Sequence, residues 1–546
     1  MSRAKLNMIL LALSGVLAGC AVNFSEYLGF LGWMALTPAL YSLFTMTQNR
    51  VRLRRFYKAG LLFFLCYFLF AWHFFCYMYP LDFTGIDNFT SVLVIAIAWL
   101  GLSLLQASIA SLSFLLFGLL FKLPVMNGKG YLMPIAFAVS YTALEWFSNI
   151  GWWGVPWARL SLSQINYLPL VQSASLFGSY FITALLLVVS GSLAYAFMNL
   201  RTARRTATVF SAVALAVFVL NLSLGLVLYY TELERESTEQ TVTVAVIQGN
   251  FSSKDTSKTY MEILDVYEFY TRHAAQDGAK LAVWPETSLP YYLVEGGLIE
   301  TRVSRIAKEN NISIILGALK LDDSEAPTHF KTYNCAFYVH KDGKMDTTVY
   351  EKRHLVPFGE YMPMRGFLDV ILPFMADINL IAEDMTPGNE SRIFTVEGIG
   401  KAGALICFDS IYEELSRASV ADGAELFVLG TNDSWFSDSV AAYLHNNHAR
   451  LRSIEFRRYT ARSAVTGVSA IISPSGTVIE STELLTEDYA LAGVAARTDR
   501  TLYSYIGNLF VYLSFGALAL PFVYDGLRLV KRKAERTSDE KKEGTE

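Results

Sequence analysis

The chain has 546 residues, 53% of them hydrophobic and 14% aromatic, and a formal net charge of −4. This is too apolar for an ordinary soluble protein and too unevenly so for a uniform membrane bundle. The small net charge averages a basic rim with a mildly acidic soluble block, and it marks no nucleic-acid surface. Apolar runs long enough to cross hydrocarbon, about 20 residues each, are predicted at 7–23, 27–46, 59–79, 91–121, 132–149, 170–197, 208–230 and 503–524, about eight spans in all. Arg3 and Lys5 precede the first; Arg50, Arg52, Arg54, Arg55 and Lys58 follow the second; Lys122 and Lys129 follow the fourth; Arg201, Arg204 and Arg205 follow the sixth. The alternate connections, 83–89 and 151–164, are nearly free of Lys and Arg, and the tail after the last span is basic again.

Because Lys and Arg of short loops stay on the cytoplasmic side, both termini are expected inside and residues 231–502 outside. The expected division is a membrane domain of about seven spans at 1–230, a catalytic domain at 231–502, a last span at 503–524 and a charged, disordered cytoplasmic tail at 525–546. L-A-G-C at 17–20 resembles a lipoprotein processing site, but the next span begins almost at once, so it reads as a span ending in a chance cluster of small residues.

From 241 the pattern changes. β-runs are predicted at 241–248, 281–286, 312–319, 332–340, 402–409, 426–433, 468–476 and 489–496, alternating with helices at about 257–276, 297–309, 411–421 and 439–461. Buried strands interleaved with amphipathic helices predict layered α/β packing around a central sheet. Five cysteines, Cys20, Cys66, Cys76, Cys335 and Cys407, without a CxxC pair support neither a disulfide framework nor a zinc site. Nothing resembles a phosphate-binding loop, so no metal or other cofactor is expected.

Three residues of this block carry candidate chemistry. Glu286 ends a buried strand after Trp284 and Pro285, where desolvation raises a carboxylate toward the range of a general base. Lys352 closes a β-run with Glu351 and Arg353 on the opposite face, so its ammonium is expected to point into the sheet end and hold an oxyanion. Cys407 stands where the strand GALIC passes into the helix from about 411; the N–H groups after it, beginning with Phe408, are expected to bind an anion and to lower the thiol's pKa. Taken singly, each has a bland reading: a helix cap, a solvated lysine, an inert core cysteine.

Other features read more plainly. His445 and His448 share a helix face without a carboxylate partner, which makes a poor zinc site. Arg450, Arg452, Arg457, Arg458 and Arg462 are spread too widely for one stripe; some are expected to pair with Glu455. Trp435, Phe436 and Phe358 read either as the floor of an acyl pocket or as core packing.

The chain order Glu, Lys, Cys, set in W-P-E, E-K-x-x-L-V-P-F-G-E and I-C-F-D, resembles the nitrilase (carbon–nitrogen hydrolase) superfamily, whose fold is an αββα sandwich. The resemblance spans about 241–497 and takes in V-I-Q-G-N, G-T-N-D-S-W-F and the Arg-rich 449–463. With seven spans before this block and one after, the whole chain resembles the apolipoprotein N-acyltransferase family, with V-P-W at 155–157, and hence Trp157, as the membrane half's contribution. That resemblance implies a polytopic membrane bundle carrying an extracytoplasmic sandwich in a bacterial inner membrane. It implies Glu286 as base, Lys352 as oxyanion stabiliser, Cys407 as nucleophile and Glu360 as a supporting acid. It also implies an acyl donor such as phosphatidylethanolamine, a thioester intermediate, and a diacylglyceryl-cysteine apolipoprotein as acceptor. Phe408 and Asp409 stand where Tyr and Glu are common, and no Trp follows V-I-Q-G-N before 280, so a lid contact near 251–256 is expected to be missing. Two rival readings remain at this point: a membrane-tethered amidohydrolase, and an idle lipid-binding or transport protein.

Overall fold

The computed structural model describes residues 3–81, 85–251, 258–324, 330–366 and 384–543. Among these, seven helices are long and apolar enough to cross a membrane: Ala4–Asn23, Ser25–Gln48, Leu53–Met78, Asn88–Leu120, Ser179–Asn199, Arg204–Thr238 and Leu509–Ser538. The span predicted at 132–149 is the 15-residue helix Met133–Phe147, shorter than any of these seven. The span predicted at 170–197 is broken at Gly178, whose φ is +79°. A Cβ there would meet the Tyr503 ring at 2.4 Å, so the break is where the short helix Leu502–Ile506 packs in. The tail expected to be disordered continues the Leu509–Glu543 helix, since 525–543 is rich in Lys, Arg and Glu, good helix formers, with no Pro.

The polar block is a sandwich of two sheets. The strands are β1 Val242–Gln248, β2 Leu281–Val283, β3 Leu289–Tyr292, β4 Ser313–Asp322, β5 Lys331–Val339, β6 Met345–Glu351, β7 Ile393–Val396, β8 Gly400–Ile406, β9 Leu426–Thr431, β10 Thr460–Ala464, β11 Ala470–Ile472, β12 Val478–Ser481 and β13 Asp488–Val494. The first sheet runs β13-β1-β2-β4-β5-β6, with β3 beside β4, and the second runs β12-β11-β10-β9-β8-β7. Val244, Val246, Leu281 and Val283 of the first meet Ala402, Ala404, Ile406 and Val428 of the second in a buried core. Alternate residues of the same strands face outward: Ala245 and Ile247 pack under the helices Tyr260–Gln276 and Leu298–Asn310. On the far side, Leu405, Phe427 and Leu429 pack under Glu413–Ala421 and Val440–Phe456. This is the four-layer αββα arrangement the sequence resemblance implied.

The outer helical layer of the second sheet rests on the membrane bundle, and one apolar cluster runs unbroken from Trp33, Phe64 and Trp157 to Leu415, Leu444 and Ile454. Buried charges cross the same contact. Glu413 binds Arg159 at 2.7 Å and Arg452 at 3.4 Å, and Arg452 binds Glu455 at 2.8 Å. Arg457 reaches Glu232 at 3.2 Å and the Gln172 side chain at 2.7 Å. Arg450 donates to Asn166 at 2.6 Å and Arg458 to the Ala424 carbonyl at 2.9 Å. Of the five arginines only Arg452 pairs with Glu455. The others serve different acceptors, because the helix predicted to 461 ends at Phe456 with Arg457 in a left-handed cap (φ +52°) and the chain then enters β10.

Candidate active site

Glu286, Lys352 and Cys407 arrive from the ends of β2, β6 and β8, so two of them belong to one sheet and the third to the other. The two sheets come together here through Gly430 on β9: a Cβ at this position would lie 3.0 Å from the Glu286 amide nitrogen. Glycine is what permits the approach.

Lys352 is 1% exposed. Its Nζ lies 2.7 Å from Glu286 Oε1 and 2.8 Å from Glu360 Oε2. Burial alone would discharge the ammonium, but the carboxylates of Glu286 and Glu360 more than offset that and hold its pKa well above the ordinary lysine value. An ammonium has three N–H bonds; two go to these carboxylates and one remains for a substrate oxygen. Asn334 Nδ2 bridges the same acids, 2.8 Å from Glu286 Oε1 and 2.8 Å from Glu360 Oε1. The Val356 N–H fixes Glu360 Oε2 at 2.8 Å. Both bonds to Glu286 land on Oε1, which leaves Oε2 as a proton acceptor. Glu351 faces away, paired to Lys320 at 2.9 Å, as strand alternation requires.

Cys407 has φ +49°, a left-handed conformation that costs a residue with a side chain on the order of 1–3 kcal/mol and persists only where its surroundings enforce it. Thr287, next to Glu286, is also left-handed at φ +43°. The turn at Cys407 is a five-residue 3-10 segment, Cys407–Ile411, and the α-helix begins only at Glu413. This corrects the expectation of a thiol acidified by a helix end. Burial pushes the Cys407 thiol up, the Glu286 carboxylate adds to the rise, and Lys352 opposes it, followed by an upward push from Asp433 and a downward pull from the Thr431 hydroxyl. Asp409 clamps the turn. Its carboxylate accepts from the N–H of Ile406 (3.0 Å), His354 (2.8 Å) and Arg353 (3.3 Å) and from the Tyr350 hydroxyl (2.8 Å). An aspartate is long enough here, which resolves the departure from glutamate noted in the sequence.

Trp157, Phe408 and Phe436 form one ring cluster. Trp157 lies 6.1 Å from Phe408 and 5.9 Å from Phe436. Phe74 and Phe75 of the bundle join it, Phe74 at 5.1 Å and Phe75 at 6.5 Å from Phe436. Trp435 is half-buried in the short turn Ser434–Phe436. Phe358 stands apart, 49% exposed in a turn of φ +63°. Residues 252–256, where the missing lid contact was expected, lie outside the described residues. His445, read as lacking a carboxylate partner, has one in Asp433 at 2.7 Å. His448 binds the Trp157 carbonyl at 3.2 Å. Sequence reasoning missed Asn334, Tyr350, Phe74 and the His445–Asp433 pair; an Asn inside an apolar β-run was the available signal for the first.

Comparison with known proteins gives the chain a family. Residues 243–501 match the carbon-nitrogen hydrolase family, and residues 14–192 match the apolipoprotein N-acyltransferase N-terminal domain. The apolipoprotein N-acyltransferase of Geobacter metallireducens is 30% identical over 397 residues, covering 72% of this chain and 74% of that protein. The chain belongs to the apolipoprotein N-acyltransferase family. Another member, from Gloeobacter violaceus, aligns at 28% identity over 93% of this chain and 92% of its own length. The Coxiella burnetii member is 30% identical over 67% of this chain and 71% of its own. Among solved structures, the nitrilase-superfamily amidase of Nesterenkonia sp. AN1 aligns at 16% identity and a TM-score of 0.36, covering 50% of this chain and 99% of that one. As a member of the N-acyltransferase family the chain is a multi-pass inner-membrane acyltransferase of the nitrilase superfamily.

Proposed function

We propose that Cys407, Glu286 and Lys352 move a fatty acyl chain from a phospholipid such as phosphatidylethanolamine to the free α-amine of a diacylglyceryl-cysteine at the N-terminus of an apolipoprotein. The carrying observation is the Glu286–Lys352–Glu360 bridge beside a strained, buried cysteine. Glu286 Oε2 takes the thiol proton as the sulfur attacks the ester carbon. The remaining Lys352 N–H and the N–H after Cys407 hold the oxyanion. Collapse expels the lysophospholipid alkoxide, which recovers the proton from Glu286, and leaves a thioester. The acceptor amine then attacks the thioester, passes a proton to Glu286, and the sulfur leaves to be reprotonated. Glu360 and Asn334 keep Lys352 and Glu286 aligned, and Trp157, Phe408 and Phe436, with Phe74, give the acyl chain an aromatic wall. The alternation of basic loops supports both termini inside and the sandwich on the periplasmic side.

Given phospholipid alone, the intact protein should gain the mass of one acyl group on the peptide containing Cys407 and none on the Cys335 peptide. A diacylglyceryl-cysteine peptide with a free amine should discharge it; the same peptide with a blocked amine should not. Rapid discharge by water alone would favour an amidohydrolase, and no adduct at all would favour an idle lipid binder.

A further inference from the structure

Three fully or nearly buried polar side chains behind the nucleophile take no part in the steps above. His445 and Arg462 are 0% exposed and Asp433 is 2% exposed. The His445 Nδ1 lies 2.7 Å from Asp433 Oδ1, and Arg462 donates to the other oxygen, Oδ2, at 2.6 Å. The opposite ring nitrogen, Nε2, lies 3.1 Å from the main-chain carbonyl of Cys407 and 3.1 Å from Ser410 Oγ. Ser410 itself donates to that same carbonyl at 2.8 Å. A carboxylate and a carbonyl can only accept, so the geometry assigns a donor hydrogen to each ring nitrogen. One N–H is anchored to an ion pair; the other is aimed at the nucleophile's backbone. The Trp157 ring lies 5.1 Å from the His445 ring, which keeps the imidazole from tilting toward the bundle.

The Cys407 peptide is the place where such an anchor matters. Its φ of +49° is not a conformation a cysteine keeps unaided. Asp409 holds the turn on the amide side, at the Ile406 N–H, and His445 with Ser410 holds it on the carbonyl side. With both sides fixed, the Cα–Cβ bond of Cys407 has one direction.

We propose that His445 is a positioning residue for Cys407: Asp433 and Arg462 fix its ring, and its Nε2–H, with Ser410, anchors the Cys407 carbonyl so that the sulfur stays aimed at the acyl carbon. This rests on Cys407 being the nucleophile, and the test separates the two. Full-length protein is compared with His445→Leu, which removes both donors, His445→Gln, which restores an N–H near the Nε2 position, and Asp433→Asn, which frees the ring. The first readout is the rate at which iodoacetamide alkylates Cys407, followed on its peptide by mass, which needs no lipid. The second is acyl-adduct formation from phospholipid, and the third is the thermal midpoint. Misaiming a reacting atom by about 1 Å can cost about 100-fold, so His445→Leu should slow both alkylation and acyl loading by about that factor, with the phospholipid concentration for half-maximal loading changed by less than about 3-fold. His445→Gln should recover to within about 10-fold of wild type, and Asp433→Asn should fall between the two. A His445→Leu protein that alkylates and loads at wild-type rates overturns the proposal. So does a His445→Gln protein as slow as His445→Leu with the same fall in thermal midpoint, since that makes the ring a packing element only. Slowed alkylation in His445→Leu, in a protein whose wild type forms no acyl adduct, would support the positioning role while sinking the acyl-transfer reading.

Discussion

Asp409 is a single carboxylate that joins the nucleophile's turn to the strand end carrying Lys352, and its ionisation sets two properties against each other. Burial raises it from 3.8 to about 6 even though the His354 N–H, Lys352, the Tyr350 hydroxyl and the Ile406 N–H all favour the charged form. Between those values the folded chain holds a proton that the unfolded chain has released. Stability from that proton is therefore present at low pH and lost as pH rises through about 6, on the order of 3 kcal/mol for a shift of about two units. Catalysis runs the other way. A protonated carboxyl must turn a hydrogen toward one of its four donors, which loosens the Cys407 turn, so acyl loading should decline as pH falls below about 6. In Asp409→Asn the dependence of the thermal midpoint on pH between about 4 and 6 should flatten, and the acid limb of loading should vanish while its plateau drops about 10- to 100-fold, as for other residues that orient a reacting group. Unchanged slopes in both profiles would show that another group titrates there.

Gly430 shows how much an element can depend on an atom it lacks. An alanine methyl would press on the Glu286 amide nitrogen at 3.0 Å. Backbone cannot rotate away as a side chain can, so Gly430→Ala should part the ends of β2 and β9, lower stability by about 1–3 kcal/mol and slow acyl loading more than it weakens phospholipid binding. Calorimetry and loading kinetics on the same preparation would test this; a variant equal to wild type in both would mean that the sheets separate freely. The elements that carry the site were largely legible in the sequence, since β1, β4, β5, β8 and β9 are near-continuous apolar runs of strand length, buried on both faces. What was not legible depends on partners far along the chain. β10 hides behind an Arg-rich segment that continues a helical pattern, and its arginines are tolerated only because Asp433, Glu232 and main-chain carbonyls wait for them. The thiol was misjudged for a similar reason: the sequence places a strand before a helix, but the intervening 3-10 turn and the depth of burial are tertiary facts.

At the scale of the molecule, the bundle and the sandwich are joined by the same two means that hold either together. Glu413 sits between Arg159 of the bundle and Arg452 of the sandwich. Glu413→Ala would leave two buried guanidinium groups without their shared carboxylate, a loss of about 3–5 kcal/mol. The full-length protein should show a lower thermal midpoint and faster proteolysis between the two halves, whereas the exposed Arg392–Glu390 pair, 50% and 58% exposed, should tolerate Glu390→Ala with a change below about 1 kcal/mol. Equal effects from both substitutions would deny the contact any special role. The apolar cluster that passes through this contact packs bundle and sandwich against each other. On the acyl-transfer reading, the sulfur of Cys407 is thereby a point held fixed against the bundle. On the same reading, donor and acceptor would have to queue for it, one clearing the mouth sideways before the other could enter, and the pace of turnover would belong as much to lateral traffic in the bilayer as to the chemistry at the thiol.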